Sequence, residues 1–450
     1  MATLTLRNIG PVREVNVDLN LINVFIGPQS SGKSTVAKII SFCNWLEKDC
    51  VLEQSVEFVT WEFVVSKLIN YHNLQGYVSE GSLIRYEGNH ISLEVVFGKA
   101  KATVLNPLEA ALLSKNAYIP SERNMLALPG IFTVKMPDNY LLEFIDDWQE
   151  IRTKYTSDDE LAILNLGGRY FFNEAENSDK IRLDDGKDIR FAQASSGLQS
   201  VVPLCVCVDY LTRWIYEHEE NRSAADRKKY REAVAERGSA IIRSQFTDSF
   251  GEKEAVELFQ RFSSLSEKEK QDYMSSVIKK ISEIGEGDKL PPEISTLLIS
   301  QAVPLMMNMQ LKVPISTNLV IEEPEQNLFP QTQVSLVYYI FSKLQHQAAR
   351  DSIVITTHSP YILYALNNCM LAYLAVKANK ENEDLVNEFS TVPKEARIDP
   401  SMVSVWEIEE GCIKDKSTIQ DEQGLIRDNY FDRVMKTVMA DFNNLINFIS

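Results

Sequence analysis

Gly27-Pro28-Gln29-Ser30-Ser31-Gly32-Lys33-Ser34 satisfies the phosphate-binding pattern G-x-x-x-x-G-K-[ST] at every position. The apolar run Leu21-Ile22-Asn23-Val24-Phe25-Ile26 before it reads as a buried strand, and Thr35-Val36-Ala37-Lys38-Ile39-Ile40 after it reads as a helix. A strand, a glycine-bounded loop and a helix in that order form an anion cradle. Gly27 and Gly32 let the backbone turn tightly and approach phosphate oxygens. Successive N–H groups and the positive end of the helix then point at the anion. In this reading Gly27 through Thr35 bind a nucleotide, Lys33 sets a charge on the β/γ-phosphates, and the Ser34 hydroxyl reaches Mg²⁺. ATP and Mg²⁺ are the expected ligands.

Working outward, Thr3–Asn8 and Glu14–Leu19 alternate with period two around an Ile9-Gly10-Pro11 turn, which predicts a hairpin leading into the phosphate-loop strand. Residues 55–70 read as an amphipathic helix, and 91–97 with 102–105 as a strand pair. Tyr118-Ile119-Pro120 reads as a short buried strand, 139–155 as helical, 166–194 as β-hairpins, and a helix is expected from about Ser196. Residues 216–290 carry dense mixed charge with i,i+4 pairs and read as an inserted helical subdomain. Its exit is marked by Gly285-Glu286-Gly287-Asp288 and Pro291-Pro292. Asn318–Ile321, Ser352–Thr356 and Met370–Val376 are strand candidates. Residues 425–449 place Leu425, Phe431, Val434, Val438, Phe442 and Leu445 at helical spacing.

With 450 residues and 44% hydrophobic content the chain can bury a sizeable core. Its net charge of −17 argues against general polyanion binding, so any DNA contact needs a local basic patch or a partner. Six scattered cysteines show no C-x-x-C pair and no zinc spacing, and read as buried thiols. No signal peptide and no membrane-length apolar run is visible, so the expected localisation is cytoplasmic, with no membrane partner.

Three further motifs join the phosphate loop. Leu319-Val320-Ile321-Glu322-Glu323-Pro324-Glu325 is an apolar strand ending in carboxylates: Glu322 is the metal-side candidate and Glu323 the general base. Ile353-Val354-Ile355-Thr356-Thr357-His358-Ser359-Pro360 ends another strand at His358, which is positioned to sense a γ-phosphate. Ala194-Ser195-Ser196-Gly197-Leu198-Gln199-Ser200 is a small polar cluster at a helix start. Ser195 or Ser196 serves as N-cap, and the helix N-terminus can meet a γ-phosphate.

The order of these four elements resembles the ABC-type ATPase heads of the SMC, Rad50 and RecF group. The resemblance implies an α/β fold: an ABC-type P-loop head with a mixed central sheet, a β-rich N-terminal lobe and an inserted helical subdomain. The corresponding division is 1–215, 216–295 and 296–450. It also implies that Ser195, Ser196, Gly197 and Gln199 complete the nucleotide site of a second subunit. Ser196, Gly197 and Gln199 match the S-G-x-Q pattern, whereas Ser195 and Leu198 depart from it. Glu322 stands where the family has aspartate, Glu323 matches the catalytic glutamate, and His358 matches the switch histidine. No residue is assignable to the Q-loop glutamine. Arg123 follows Tyr118-Ile119-Pro120 near that region, with salt bridging as its expected role.

More narrowly, Asn8-Ile9-Gly10-Pro11, Tyr118 through Arg123, Ser195 through Ser200 and Glu322 through Leu328 resemble the bacterial OLD-like ATPases, the AAA15/AAA21 group. Many of these are ATPase subunits of antiphage defence systems such as PARIS and Septu. The resemblance implies a homo-oligomer built on head-to-head dimers, controlling a separate nuclease or toxin. Three alternatives stay open at this point: a RecF- or SMC-like repair ATPase acting on DNA, a nucleotide-binding scaffold that sequesters an effector, and a P-loop small-molecule kinase.

Overall fold

The computed structural model describes residues 2–53, 55–108, 114–217, 316–344, 351–379 and 383–449. The chain divides into two units, Met1–Asn221 with Ile315–Ser450, and Arg222–Pro314. The second unit lies outside the described residues. So does the expected inserted subdomain at 216–295, apart from its first two residues.

The described strands, numbered along the chain, are β1 (Ala2–Ile9), β2 (Val12–Leu19), β3 (Ile22–Ile26), β4 (Val78–Glu87), β5 (Ile91–Val96), β6 (Lys99–Val104), β7 (Ser114–Ile119), β8 (Leu161–Ala162), β9 (Gly168–Asn173), β10 (Ser178–Leu183), β11 (Asp188–Arg190), β12 (Ser316–Glu322), β13 (Ser352–Thr356), β14 (Val403–Glu409) and β15 (Cys412–Ile413). Eleven of them form one mixed sheet in the order β6-β5-β4-β1-β2-β15-β14-β3-β13-β12-β7. The block β14-β3-β13-β12-β7 is parallel throughout. The block β6-β5-β4-β1-β2 is antiparallel. The remaining four strands make a small antiparallel sheet, β11-β10-β9-β8.

Parallel strands are covered on both faces, and their sequences read accordingly as unbroken apolar runs. All five residues of β3 are buried. On one face Val24, Ile26, Leu319, Ile321, Ile353 and Ile355 pack with three helices: α4 (Ser196–Asp209), α5 (Pro330–Lys343) and α6 (Pro360–Ala378). On the other face Phe25, Val320 and Val354 pack with α1 (Lys33–Glu53). The antiparallel wing closes over the same helix through Leu4, Leu6, Val15, Val17, Ile84 and Leu93. α1 is therefore held between two parts of one sheet, which fixes the loop at its N-terminus.

The mixed α/β class with a large mixed central sheet and a β-rich N-terminal lobe agrees with expectation. The hairpin β1–β2, the pair β5–β6, the hairpins of the small sheet and the start of α4 at Ser196 all fall where periodicity and turn chemistry put them. α3 (Tyr140–Ile151) fills most of the helix expected at 139–155.

Two expectations need correction. Met370–Val376 is no strand: it is the last part of α6. Periodicity cannot separate a buried helix from a buried strand over a short apolar run, and Met, Leu and Ala favour helix while only Val376 is β-branched. Of residues 55–70, only Trp61–Val64 is α-helical and Val65–Asn70 continues as a π-turn, so 55–60 stay outside the helix. The hairpin does lead into the phosphate-loop strand along the chain, although the two are not neighbours in the sheet. β14 and β15 lie between β2 and β3, and β14, which supplies this parallel partner of β3, went unread in the sequence.

Candidate functional site

The parallel register brings the motif residues to one level. Phe25 pairs with Thr356, Glu322 with Thr356, Ile321 with Ile119 and Ile26 with Glu407. The Glu323 N–H donates to Thr356 O at 2.9 Å and the Thr357 N–H to Phe25 O at 3.1 Å, so the ladders continue past the strand ends. Clefts beyond the carboxyl ends of parallel strands are where open α/β sheets bind ligands.

Gly27 has φ +140°, and a Cβ there would stand 2.1 Å from Ile408 O; one at Gly32, with φ +106°, would meet Val12 Cγ2 at 2.6 Å. A side chain at Gly27 would need the backbone to move, and one at Gly32 would displace Val12 and strain the left-handed backbone. Between them Gln29 and Ser30 form an exposed crest, with Ser30 itself left-handed, while Pro28 is half-buried and Ser31 is buried. The Lys33 ammonium is buried inside the loop, donating to Gly27 O at 3.0 Å, Pro28 O at 2.6 Å and Ser31 Oγ at 3.3 Å. Burial pulls its pKa down to about 8, against the opposing charges of Glu323 and Glu325. An ammonium held only by neutral oxygens is a ready partner for an anion.

Glu322 is buried, and its Oε1 has no hydrogen-bond partner among the described residues. Burial pushes its carboxyl above the ordinary value, against the Lys38 charge and the Ser34 and Tyr118 hydroxyls beside it. The Thr356 hydroxyl is also buried without a partner among the described residues. A desolvated carboxylate with one unpartnered oxygen, next to a serine hydroxyl, fits a hydrated Mg²⁺ shared with phosphate oxygens. Among the described residues no group of three His, Cys, Asp or Glu could hold a metal by itself.

Glu323 follows with φ +43°, a left-handed conformation that non-glycine residues adopt rarely. Its half-buried carboxylate accepts from His358 Nε2 at 3.3 Å. That hydrogen bond holds the Glu323 carboxyl below its ordinary value, against burial. The His358 backbone N–H donates to Glu325 Oε1 at 2.6 Å, so the half-buried Glu325 fixes the base of the histidine loop. Two carboxylates in succession thus have opposite environments: Glu322 is driven toward neutrality and Glu323 is kept ionised.

The expected trans cluster sits at the start of α4. Ser195 is the N-cap, its Oγ accepting from the Leu198 N–H at 3.4 Å. Ser195 and Ser196 are exposed. Gln199 Nε2 donates to Ala192 O at 3.1 Å. A Cβ on Gly197 would lie 3.1 Å from Asn327 O, so the helix N-terminus abuts the loop after Glu323. These hydrogen bonds stay local, and none reaches Gly27–Thr35 of the same chain.

The sequence reading erred on Arg123. The residue is fully buried and makes no salt bridge among the described residues: Nε donates to Ser200 O, Nη1 to Pro120 O and Glu322 O, and Nη2 to Glu323 O and Pro324 O, all between 2.8 and 3.2 Å. It stands three residues past Pro120, and nothing local separates it from any other arginine after a strand. Glu407, buried beside the loop and bonded by the Tyr430 N–H and Arg433, was likewise missed, because nothing local distinguishes it from a surface glutamate.

No family model matches the chain, and no curated protein matches it. Solved structures do overlap it. The SMC head domain from Thermotoga maritima gives a TM-score of 0.31 at 10% identity, over 81% of this chain and 90% of that one. The SMC head bound to the C-terminal winged-helix domain of ScpA gives 0.33 at 10% identity, with coverage of 81% and 90%. The recombination mediator RecF-ATPrS of the RecFOR pathway gives 0.27 at 12% identity, with coverage of 91% and 96%. Overlaps this loose carry no weight for function, which has to be read from the strand ends themselves. Among the described residues no helix is long and apolar enough to cross a membrane.

Proposed function

We propose that this chain is an ATP-hydrolysing molecular switch whose heads dimerise around Mg-ATP. The observation that supports it best is the sequence of environments along one sheet edge: a caged Lys33, an unsatisfied Glu322, and an ionised, left-handed Glu323 paired with His358. In this reading the loop amides of Gly27–Thr35 and Lys33 hold the phosphates. Ser34 and Glu322 would hold Mg²⁺, which neutralises charge on the phosphoryl oxygens. Glu323 orients the attacking water and accepts its proton as the water oxygen bonds to the γ-phosphorus and ADP departs. His358 keeps the Glu323 carboxylate on the γ-phosphate side. Ser196 and Gly197 of a second copy, exposed at a helix N-terminus, complete the γ-phosphate's shell, so ATP favours the closed pair over the open head. By its resemblance to OLD-like ATPases, the switch is the sensor subunit of an antiphage system that restrains a separate nuclease or toxin. Mass measurement with and without ATP, together with a turnover assay, tests the core of this reading: ATP-independent mass and no turnover would reject it.

Two outcomes follow from the geometry. Ser196→Arg should leave ATP binding intact and reduce turnover to background, because the exposed helix start is then blocked by a long cation; hydrolysis at the native rate would rule out the trans contact. ATP affinity should also fall as pH rises. Only the ammonium form of Lys33 attracts phosphate, and its pKa of about 8 means the free protein loses that form above pH 8. The apparent Kd should then rise about tenfold per pH unit, with proton uptake on binding. A Kd constant from pH 7 to 9.5 by calorimetry would show that Lys33 keeps its proton without ligand.

A further inference from the structure

Resting on the proposed ATPase reading, we infer that Arg123 is a positioning residue that couples the hydrolytic glutamate to the helix offered to the second copy. Its guanidinium has five N–H groups. All five bonds run to backbone carbonyls on three separate segments: the end of β7 at Pro120, the loop after β12, and α4 at Ser200. The three carbonyls on the β12 loop are consecutive, those of Glu322, Glu323 and Pro324. Carbonyls of an extended chain alternate in direction, so three in a row can converge on one cation only if the chain curls. The left-handed φ of Glu323 is that curl. The Glu323 carboxylate itself bonds His358 rather than Arg123. Arg123 therefore holds the strained rotation through the backbone alone, leaving the carboxylate to His358.

The fifth bond makes this a coupling. Ser200 lies one helical turn beyond Ser196, and its carbonyl shares the guanidinium with Glu322, Glu323 and Pro324. A second tie runs in parallel, Asn327 Nδ2 to Ser200 Oγ at 2.9 Å. Between them Gly197 leaves no room for a side chain against Asn327 O without displacement. A shift of the β12 loop on filling or emptying the nucleotide site must then carry the N-terminus of α4 with it. Burial lowers the pKa of Arg123 to about 10, which leaves it charged at physiological pH.

The test is Arg123→Lys, which keeps the charge but cannot reach three segments at once. The expected result is an unchanged ATP dissociation constant with kcat reduced about a hundredfold, and no ATP-dependent rise in mass when combined with Glu323→Gln. A merely structural role would lower thermal stability without splitting affinity from kcat. Asn327→Ala, which spares the buried cation, should weaken the mass change in the same direction and covers the case in which Arg123→Lys does not fold. Native kcat in Arg123→Lys, or native ATP-dependent assembly in Asn327→Ala, would overturn the coupling while leaving the ATPase reading intact. Absence of turnover in the native protein would instead reject the ATPase reading itself.

Discussion

Lys33→Ala should abolish the stabilisation that ATP gives the native protein. At an ATP concentration about a hundred times Kd, the native fold gains about 2.7 kcal/mol, readable as a rise in the thermal midpoint that the variant lacks. The argument is local. Lys33 is the one side-chain cation inside the loop whose donors all face loop oxygens, and it is buried. Taking its charge away leaves amide dipoles facing a highly charged polyphosphate. The unliganded variant should not be less stable than the native protein near neutral pH. The sign follows from the shift: the native pKa of about 8 lies below the unfolded value, so folding opposes the charged form. The unfolded chain binds more protons between about pH 8 and the ordinary lysine range, and native stability therefore rises with pH across that window. Alanine removes this dependence. A variant that keeps the native ATP shift would place the nucleotide somewhere other than this loop.

Much of this site is legible in the sequence because it is assembled from contiguous motifs. Gly27 and Gly32 announce positions where a Cβ is strained, and the structure gives both the positive φ and the clashing neighbour. Glu322, Glu323 and His358 announce themselves as polar residues ending apolar strands, and parallel pairing puts those ends on one level. Long-range partnerships are not legible in this way. Arg123 looks like any arginine after a strand, because its partners are carbonyls 3, 77, 199, 200 and 201 positions away. β14 mixes Ser404 and Glu407 among apolar residues and does not read as a buried parallel strand, yet it sits beside β3 with Glu407 buried against Arg433 and Lys414. The failed strand at Met370–Val376 has the converse cause: an apolar run long enough to be a helix was divided too early.

Glu323→Gln should retain ATP, stop turnover and accumulate the closed pair, seen as a doubled mass at saturating ATP. Glutamine has the size of glutamate and can still meet His358, so the curled backbone, held by Arg123 and continued from the β12 ladder, has no reason to move. What is lost is the negative charge. His358 holds the Glu323 carboxyl below its usual value, so the group is ionised at neutral pH and can take a proton from water. An amide cannot, and removal of a positioned general base costs about a hundredfold to ten-thousandfold in rate. With hydrolysis blocked and ATP bound better by the closed form, the open form is no longer regenerated. His358→Ala should give a milder version of the same result, since the carboxylate remains but loses its tether. The pH dependence separates the variants. A carboxyl whose folded pKa is depressed contributes stability above its unfolded value and loses it as pH falls through the folded one, so the native protein should carry an acid-side stability term that Glu323→Gln lacks. Turnover at the native rate in Glu323→Gln would move the base elsewhere. Monomers at saturating ATP would separate nucleotide binding from assembly, and the exposed Ser196 helix start would then need some other ligand.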